Sequence, residues 1–326
     1  MRRTLALLLA GTLVFGTMWS GCSKKPEQKP IPKSSSPMDR TGGGNKKIGT
    51  EPTISLYNND TKQKKNIKLE EYLEGVLAAE MDPKWPVNAL AAQAILARTF
   101  TLENIQTGRV KKLHGTDAST SVEEFQAYNP AKINANVRKA VKMTRGEVVL
   151  HKGKYPHAWF HACCGGKTAT APEGLAFEKE PTPYIKPVSD GCMAITVPEN
   201  KAWKAAFPME QVRKAIMQQT GSDPGAITSA TVVKRGPSGR AEKLKLGNAT
   251  VGGAALRLAL GSDKLRSMML SNVSIQGGEV MFQGKGFGHG VGLCQWGANN
   301  QARKGKKPED IVRYYFKGVQ IQNRWK

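Results

Sequence analysis

Residues 69–98 carry the pattern that most restricts the fold. Leu69, Tyr72, Leu73, Val76 and Leu77 fall at offsets 0, 3, 4, 7 and 8, which predicts a helix over 69–80 with one apolar stripe. Pro83 and Pro86 then break the helix, and Pro86 suits the first turn of a second one. Val87, Leu90, Ala91, Ala94 and Ile95 repeat the stripe. The chain must therefore bury two consecutive helices against each other or against a common partner. Each stripe ends on a charged residue at offset 11, Glu80 in the first and Arg98 in the second. Glu70, Glu71 and Glu74 are assigned to the wet face. Glu80 instead continues the buried one, where a carboxyl group has a raised pKa and can serve as a general acid. The alternative is a carboxylate at a fraying helix end, turned to solvent or paired with a base. Arg98 either pairs with Glu80, holds a neighbouring loop or meets a substrate oxygen.

The remaining pattern mixes helices and strands in runs, which reads as α+β: a helical catalytic segment packed with mixed β structure. A first strand is expected at 53–56 and a third helix around Ile133, Val137, Ala140 and Val141. A β-hairpin is expected from 147–151 and 154–162. Residues 194–218 read as mostly helical. Short strands follow at 230–234, 241–245, 274–276 and 279–283, with a helix at 253–260 and a last helix starting at Pro308. Residues 190–280 are a candidate inserted β-rich subdomain within a domain spanning 51–326.

Before that domain, Arg2 and Arg3 precede an apolar run from Leu5 to Trp19, then Ser20, Gly21 and Cys22. This is the layout of an export signal over 1–22, and its end resembles a bacterial lipobox with Cys22 as the lipidated residue. Residues 23–50, rich in Pro, Ser, Gly and Lys, read as a disordered linker. The expectation is an exported lipoprotein anchored in the membrane and facing the periplasm or cell wall. Net charge is +23, of which +7 lies in residues 1–50 and +16 beyond. A basic body calls for an anionic partner. Export, with no nucleic-acid motif, removes nucleic acid from the choices.

Several ordered motifs carry a resemblance. They are Glu71–Met81 (EYLEGVLAAEM), Trp85-Pro86, Ala97-Arg98-Thr99-Phe100, Gln126-Ala127-Tyr128, Thr144-Arg145-Gly146, Phe160-His161, Gly165–Thr168, Pro183-Tyr184, Gly286–Gly292 (GFGHGVG) and Gln295–Ala298 (QWGA). Together they resemble the stage II sporulation protein D / amidase enhancer (LytB) family over about residues 53–322. The resemblance implies a lytic transglycosylase acting on peptidoglycan glycan strands, with a preference for strands stripped of stem peptides. It puts the catalytic glutamate of the A-A-E-M element on Glu80. A non-catalytic, wall-binding enhancer of an N-acetylmuramoyl-L-alanine amidase is the alternative, so that a cell-wall amidase becomes a candidate partner.

A lytic mechanism needs one carboxylate, whereas a hydrolase needs two. Asp82, Asp117, Glu123 and Glu124 are the candidates for a second. Gln126, Tyr128, Gln295 and Trp296 can hydrogen-bond to sugars or stack on them, and His289 is the histidine best placed for a cleft. Alternating Gly284, Gly286, Gly288, Gly290 and Gly292 permit close approach of another backbone or a sugar, and positive φ.

Cys163, Cys164, Cys192 and Cys294 suggest disulfides outside the cytoplasm, Cys164–Cys192 being the preferred pair. No cofactor is required. A rival reading gathers His161, Cys164, Cys192, Cys294 and His289 around zinc. Some family members bind zinc through a cysteine in a C-Q-x-Y element, and here that position is Phe125.

Overall fold

The structure is a computed structural model that describes residues 49–326. The export-signal layout, Cys22 and all but the end of the expected linker lie outside the described residues. The architecture is α+β.

Strand β1 (Thr53–Tyr57) pairs antiparallel with β2 (Lys64–Lys68), Ile54 opposite Ile67. Ile54, Leu56 and Ile67 point into the core while Lys64, Lys65 and Lys68 stay exposed, the period-2 pattern of a half-buried sheet. β2 runs directly into helix α1 (Leu69–Glu80), which has the bounds expected from its stripe. Leu69, Leu73, Val76 and Leu77 are fully buried. Each such side chain contributes about 1.5–3 kcal/mol by leaving water.

Helix α2 (Val87–Thr107) is the central pillar. Burial runs almost unbroken from Ala89 to Thr99, so the helix is covered on all sides rather than along one stripe. Ala89, Ala91, Ala92, Ala94 and Ala97 keep its girth small enough for α1, the helix Ala135–Met143, the helix Gln295–Arg303 and the helix Pro308–Tyr315 to pack against it. Gly108, in the left-handed region at φ 67°, ends it. The short strand β3 (Ala118–Ser119) then adds in parallel to β1. Strands β4 (Glu147–Leu150) and β5 (Phe160–His161) follow.

A second core lies within residues 203–282. Its strands are β6 (Trp203–Pro208), β7 (Ala230–Arg235), β8 (Ala241–Leu246), β9 (Ala249–Gly252), β10 (Leu270–Gln276) and β11 (Glu279–Gly284). They form two antiparallel sheets, ordered β10-β11-β6 and β7-β8-β9. The helices Met209–Thr220 and Gly253–Leu260 bring Val212, Ile216 and Leu256 between Phe207, Phe282 and Leu244. The expectation of helix over 194–218 is corrected at β6. Trp203 and Phe207 are buried and Ala205 partly so, while Lys204, Ala206 and Pro208 are exposed, a two-residue period that belongs to a strand.

The chain then returns to the first core through β12 (Leu293–Cys294) and ends in β13 (Gln320–Asn323). The hairpin expected across 147–162 is also corrected. It closes only as a bridge between His151 and Lys154. β4 takes the C-terminal β13 as its antiparallel partner, and β5 pairs in parallel with β12. Pro156 offers no N–H to a ladder and turns the segment away after that bridge. No helix among the described residues is long and apolar enough to cross a membrane.

Candidate active site

Glu80 is the last residue of α1 and lies on the line of its apolar stripe, partly exposed. Burial raises its pKa, opposed by the backbone N–H of Ala127 and by the Gln295 side chain lying against the same carboxyl group. Ala127 N–H donates to Oε1 at 3.0 Å. The structure thus brings Glu80 together with two residues of the expected set, or their immediate neighbours: Gln295 and the 126–128 element. The next turn is lined by aromatics, Trp85 meeting Trp296 edge-on with ring centroids 4.6 Å apart. The arrangement is a carboxyl group tuned toward the protonated form, with one oxygen held by a backbone donor and aromatic surface beside it.

The 126–128 element reaches Glu80 because of Gly75. A Cβ at position 75 would lie 2.3 Å from a Tyr128 ring carbon. With glycine there, the Tyr128 ring lies on α1 and stacks on Tyr72 at 5.6 Å, and Asn129 N–H donates to the Gly75 carbonyl at 2.9 Å. Tyr128 is half-buried and keeps an exposed edge. Gln126 is buried, and its Nε2 donates to Thr101 Oγ1 at 2.9 Å. The expectation that Gln126 meets substrate is corrected on that ground: its amide faces α2. Ala127 and Gly75 were not singled out from the sequence. Ala127 acts through its backbone, which no residue type announces, but a glycine inside a strong helical pattern was a usable signal.

Arg98 is fully buried, and neither a substrate contact nor a pair with Glu80 survives. Its Nε and Nη2 clasp Glu70 at 3.0 and 2.6 Å, and Nη1 donates to the Glu147 carbonyl at 2.8 Å. Of the open readings, Arg98 as the holder of a neighbouring segment matches this geometry. Glu70 Oε1 also accepts Gly146 N–H at 3.0 Å and Trp325 Nε1–H at 2.9 Å. Glu70 is therefore not on the wet face. At about 100° per residue its direction differs from that of buried Leu77 by only about 20°, so it lies at the edge of the stripe.

The four candidate second carboxylates are engaged elsewhere or exposed. Asp82 Oδ1 accepts Lys84 N–H at 2.9 Å in an exposed turn. Asp117 Oδ2 accepts from Ser55 N–H at 2.9 Å and Ser55 Oγ at 2.7 Å. Glu124 meets His114 at 2.8 Å, and Glu123 is exposed.

Of the five alternating glycines, Gly286, Gly288, Gly290 and Gly292 have positive φ, whereas Gly284, the last residue of β11, does not. A Cβ would lie 2.8 Å from the Cys163 carbonyl at Gly286, 2.3 Å from the Arg240 guanidinium at Gly290 and 2.0 Å from the Trp159 carbonyl at Gly292. The close neighbours here are protein atoms. His289 faces His161 with ring centroids 5.5 Å apart, and its Nδ1 accepts Val291 N–H at 3.1 Å. Burial, then the neighbouring His161, pushes its pKa well down, so it is neutral. His161 Nδ1–H donates to the Val291 carbonyl at 3.1 Å, and burial holds its pKa down at about 3. His157 instead meets Glu103 and Glu180, so it and His161 do not share a set of partners.

Cys164 and Cys192 are separate thiols with sulfurs 3.4 Å apart, not the expected disulfide, whose sulfurs sit about 2 Å apart. Cys163 Sγ is equally near Cys192, at 3.5 Å, so no one pair is singled out. The position at which the resemblance implies a zinc-binding cysteine in some family members is filled by the Phe125 ring, buried against Phe100 at 5.4 Å and near Tyr72 at 6.4 Å. An apolar ring in that packing has no atom to offer a metal ion, so this position does not fit zinc.

Residues 57–151 match the family model for stage II sporulation protein, and residues 198–292 match a domain of unknown function. The stage II sporulation protein D of Bacillus subtilis is 30% identical over 82% of this chain and 78% of its own length. An uncharacterized protein of Brachyspira hyodysenteriae is 32% identical over 81% of this chain and 69% of its own. The amidase enhancer of Bacillus subtilis is 24% identical over 76% of this chain but only 40% of its own length. These similarities support a function at the cell wall, outside the cytoplasm. The motifs quoted from the sequence and these matches agree, and the chain belongs to the stage II sporulation protein D / amidase enhancer family.

Proposed function

We propose that the protein is a peptidoglycan lytic transglycosylase in which Glu80 is both acid and base. The observation that carries this reading is the Glu80 carboxyl group, raised in pKa by burial, while Asp82, Asp117, Glu123 and Glu124 are committed elsewhere or exposed. Oε1 accepts from Ala127, which leaves Oε2 to carry the proton.

In the first step Oε2–H protonates the oxygen joining N-acetylmuramic acid to N-acetylglucosamine. The C1–O bond breaks through an oxocarbenium-like state, and the leaving sugar departs with a free 4-hydroxyl. Glu80 is now ionised, which Ala127 N–H and Gln295 favour. It takes the proton of the muramic acid's own 6-hydroxyl as that oxygen bonds C1. The product is a 1,6-anhydro sugar, no water is consumed, and Glu80 ends protonated as it began. Tyr128 and the Trp85–Trp296 pair offer aromatic surface for sugar rings. The basic body, +16 beyond residue 50, attracts the lactyl and stem-peptide carboxylates of the wall in a salt-sensitive way. A lipid anchor on Cys22 would hold the enzyme at the membrane.

The similarity to an amidase enhancer supports a second reading, in which the protein binds the wall and assists an amidase without cleaving glycan. Digestion of purified glycan strands, with and without stem peptides, separates the two. Anhydro-muramic ends by mass spectrometry, absent with Glu80→Gln, are expected. Reducing ends would replace the lytic mechanism with hydrolysis, and no product at all would favour the enhancer.

A further inference from the structure

Four buried cysteines from three distant segments converge on one place. Cys164 lies in the turn before Gly165 and Gly166, Cys192 opens a short helix, and Cys294 caps the helix Gln295–Arg303. The sulfurs of Cys164, Cys192 and Cys294 and a carboxylate oxygen of Asp190 all lie within 4.8 Å of one another. Neither histidine of the rival zinc set belongs to this group. We propose that Cys164, Cys192, Cys294 and Asp190 form a closed tetrahedral site for a structural zinc ion, with zinc itself as the ligand.

Three observations carry this. First, the spacing suits one metal ion. At a zinc–sulfur distance of about 2.3 Å, tetrahedral sulfurs are about 3.8 Å apart, and Cys164 and Cys192 are 3.4 Å apart. Secondly, backbone donors point at sulfur. Cys294 Sγ accepts Cys164 N–H at 3.2 Å and Gly297 N–H at 3.4 Å, contacts of the kind that orient a metal ligand. Thirdly, the carboxylate is held in place as metal ligands are by an outer shell. Tyr315 Oη–H donates to Asp190 Oδ2 at 2.6 Å and Cys192 N–H to Oδ1 at 2.7 Å. Gly297 makes room for this pair, since a Cβ there would lie 2.1 Å from Asp190 Oδ2 and 2.2 Å from the Tyr315 oxygen.

Arg240, fully buried, donates to the Cys164 carbonyl at 2.6 Å and brings positive charge beside the cluster. Binding would release the thiol protons to solvent. The ion would tie the turn after β5 and the segment at 190–192 to the helix whose first residue, Gln295, lies against Glu80. Its role is to hold that helix, not to act on substrate.

The test uses the full chain, exported, membrane-extracted and purified without chelator. One zinc per chain by plasma emission spectrometry is expected. Alkylation under denaturing, chelating, non-reducing conditions should label Cys163, Cys164, Cys192 and Cys294. Zinc-free protein with a disulfide-linked Cys164–Cys192 peptide overturns the proposal. Cys294→Ser should lose the metal. Tyr315→Phe keeps every ligand, and its zinc affinity, measured against a chromophoric chelator, should fall about tenfold. Unchanged affinity there would overturn Tyr315 as the residue that positions Asp190. Cys163→Ser should retain zinc, and its loss would overturn the ligand set. Glu80→Gln should also retain zinc, so this proposal stands or falls apart from the transglycosylase reading.

Discussion

Ala127 gives its backbone N–H to Oε1 of Glu80 at 3.0 Å across 47 residues of sequence. This contact fixes one carboxyl oxygen and with it the orientation of the group. It also opposes the burial that raises the pKa, so the group is tuned between two forms rather than locked in either.

Glu80→Gln is expected to lower glycan cleavage by at least about a hundredfold, the usual scale for loss of a positioned acid–base group. Because burial raises the folded pKa above 4.5, ionisation of Glu80 destabilises the fold as pH rises through the window above 4.5. The neutral glutamine avoids that cost, so at pH 7 the variant should melt at or above the wild-type temperature. Calorimetry and mass spectrometry of digests check the two halves. Wild-type activity should fall as pH rises past the raised pKa, because the acid form is lost.

Gly75→Ala places a methyl group 2.3 Å from the Tyr128 ring position. The ring must move, and Ala127 with it. A destabilisation of about 1–3 kcal/mol is expected from such overpacking, together with reduced cleavage. Urea unfolding and glycan digestion measure these. Wild-type activity in this variant would show that Ala127 does not orient Glu80.

Arg98 and Glu70 form a buried bidentate pair. Arg98→Met strands the Glu70 carboxylate and should cost about 3–5 kcal/mol in urea unfolding. The Arg98→Met/Glu70→Gln double variant should recover part of that loss. A double-mutant cycle showing no coupling would contradict the pairing.

His161 carries an acid-stability prediction. Its pKa is lowered from 6.5 to about 3, chiefly by burial and then by Arg240. Protonation therefore favours the unfolded chain, and stability is lost as pH falls from about 6.5 toward 3. His161→Asn keeps a donor for the Val291 carbonyl without that titration. Its urea midpoint should fall less than that of wild type between pH 7 and pH 4.

The helices were legible because their signals are local. The stripe on 69–80 states its own period, and the prolines at 83 and 86 state the break. The strand at 203–208 was obscured by its helical neighbour, Met209–Thr220, because a window spanning both mixes two periods. The partner of β4 was missed for another reason. A hairpin is the shortest closure, but Pro156 blocks it, and the C-terminal strand supplies the ladder instead.

The sequence by itself determined that Glu80 lies on an apolar face, that glycines alternate over 286–292, and that the motifs follow the order of one family. Those facts depend on a few consecutive residues and on backbone geometry with a fixed period. Tertiary structure alone decided which charges meet. It gave Arg98 to Glu70 across 28 residues rather than to Glu80. It brought Ala127 to Glu80 and gathered Cys164, Cys192, Cys294 and Asp190. Such meetings are set by how whole elements pack around α2, and a helical period says which way a side chain points but not what it will find there.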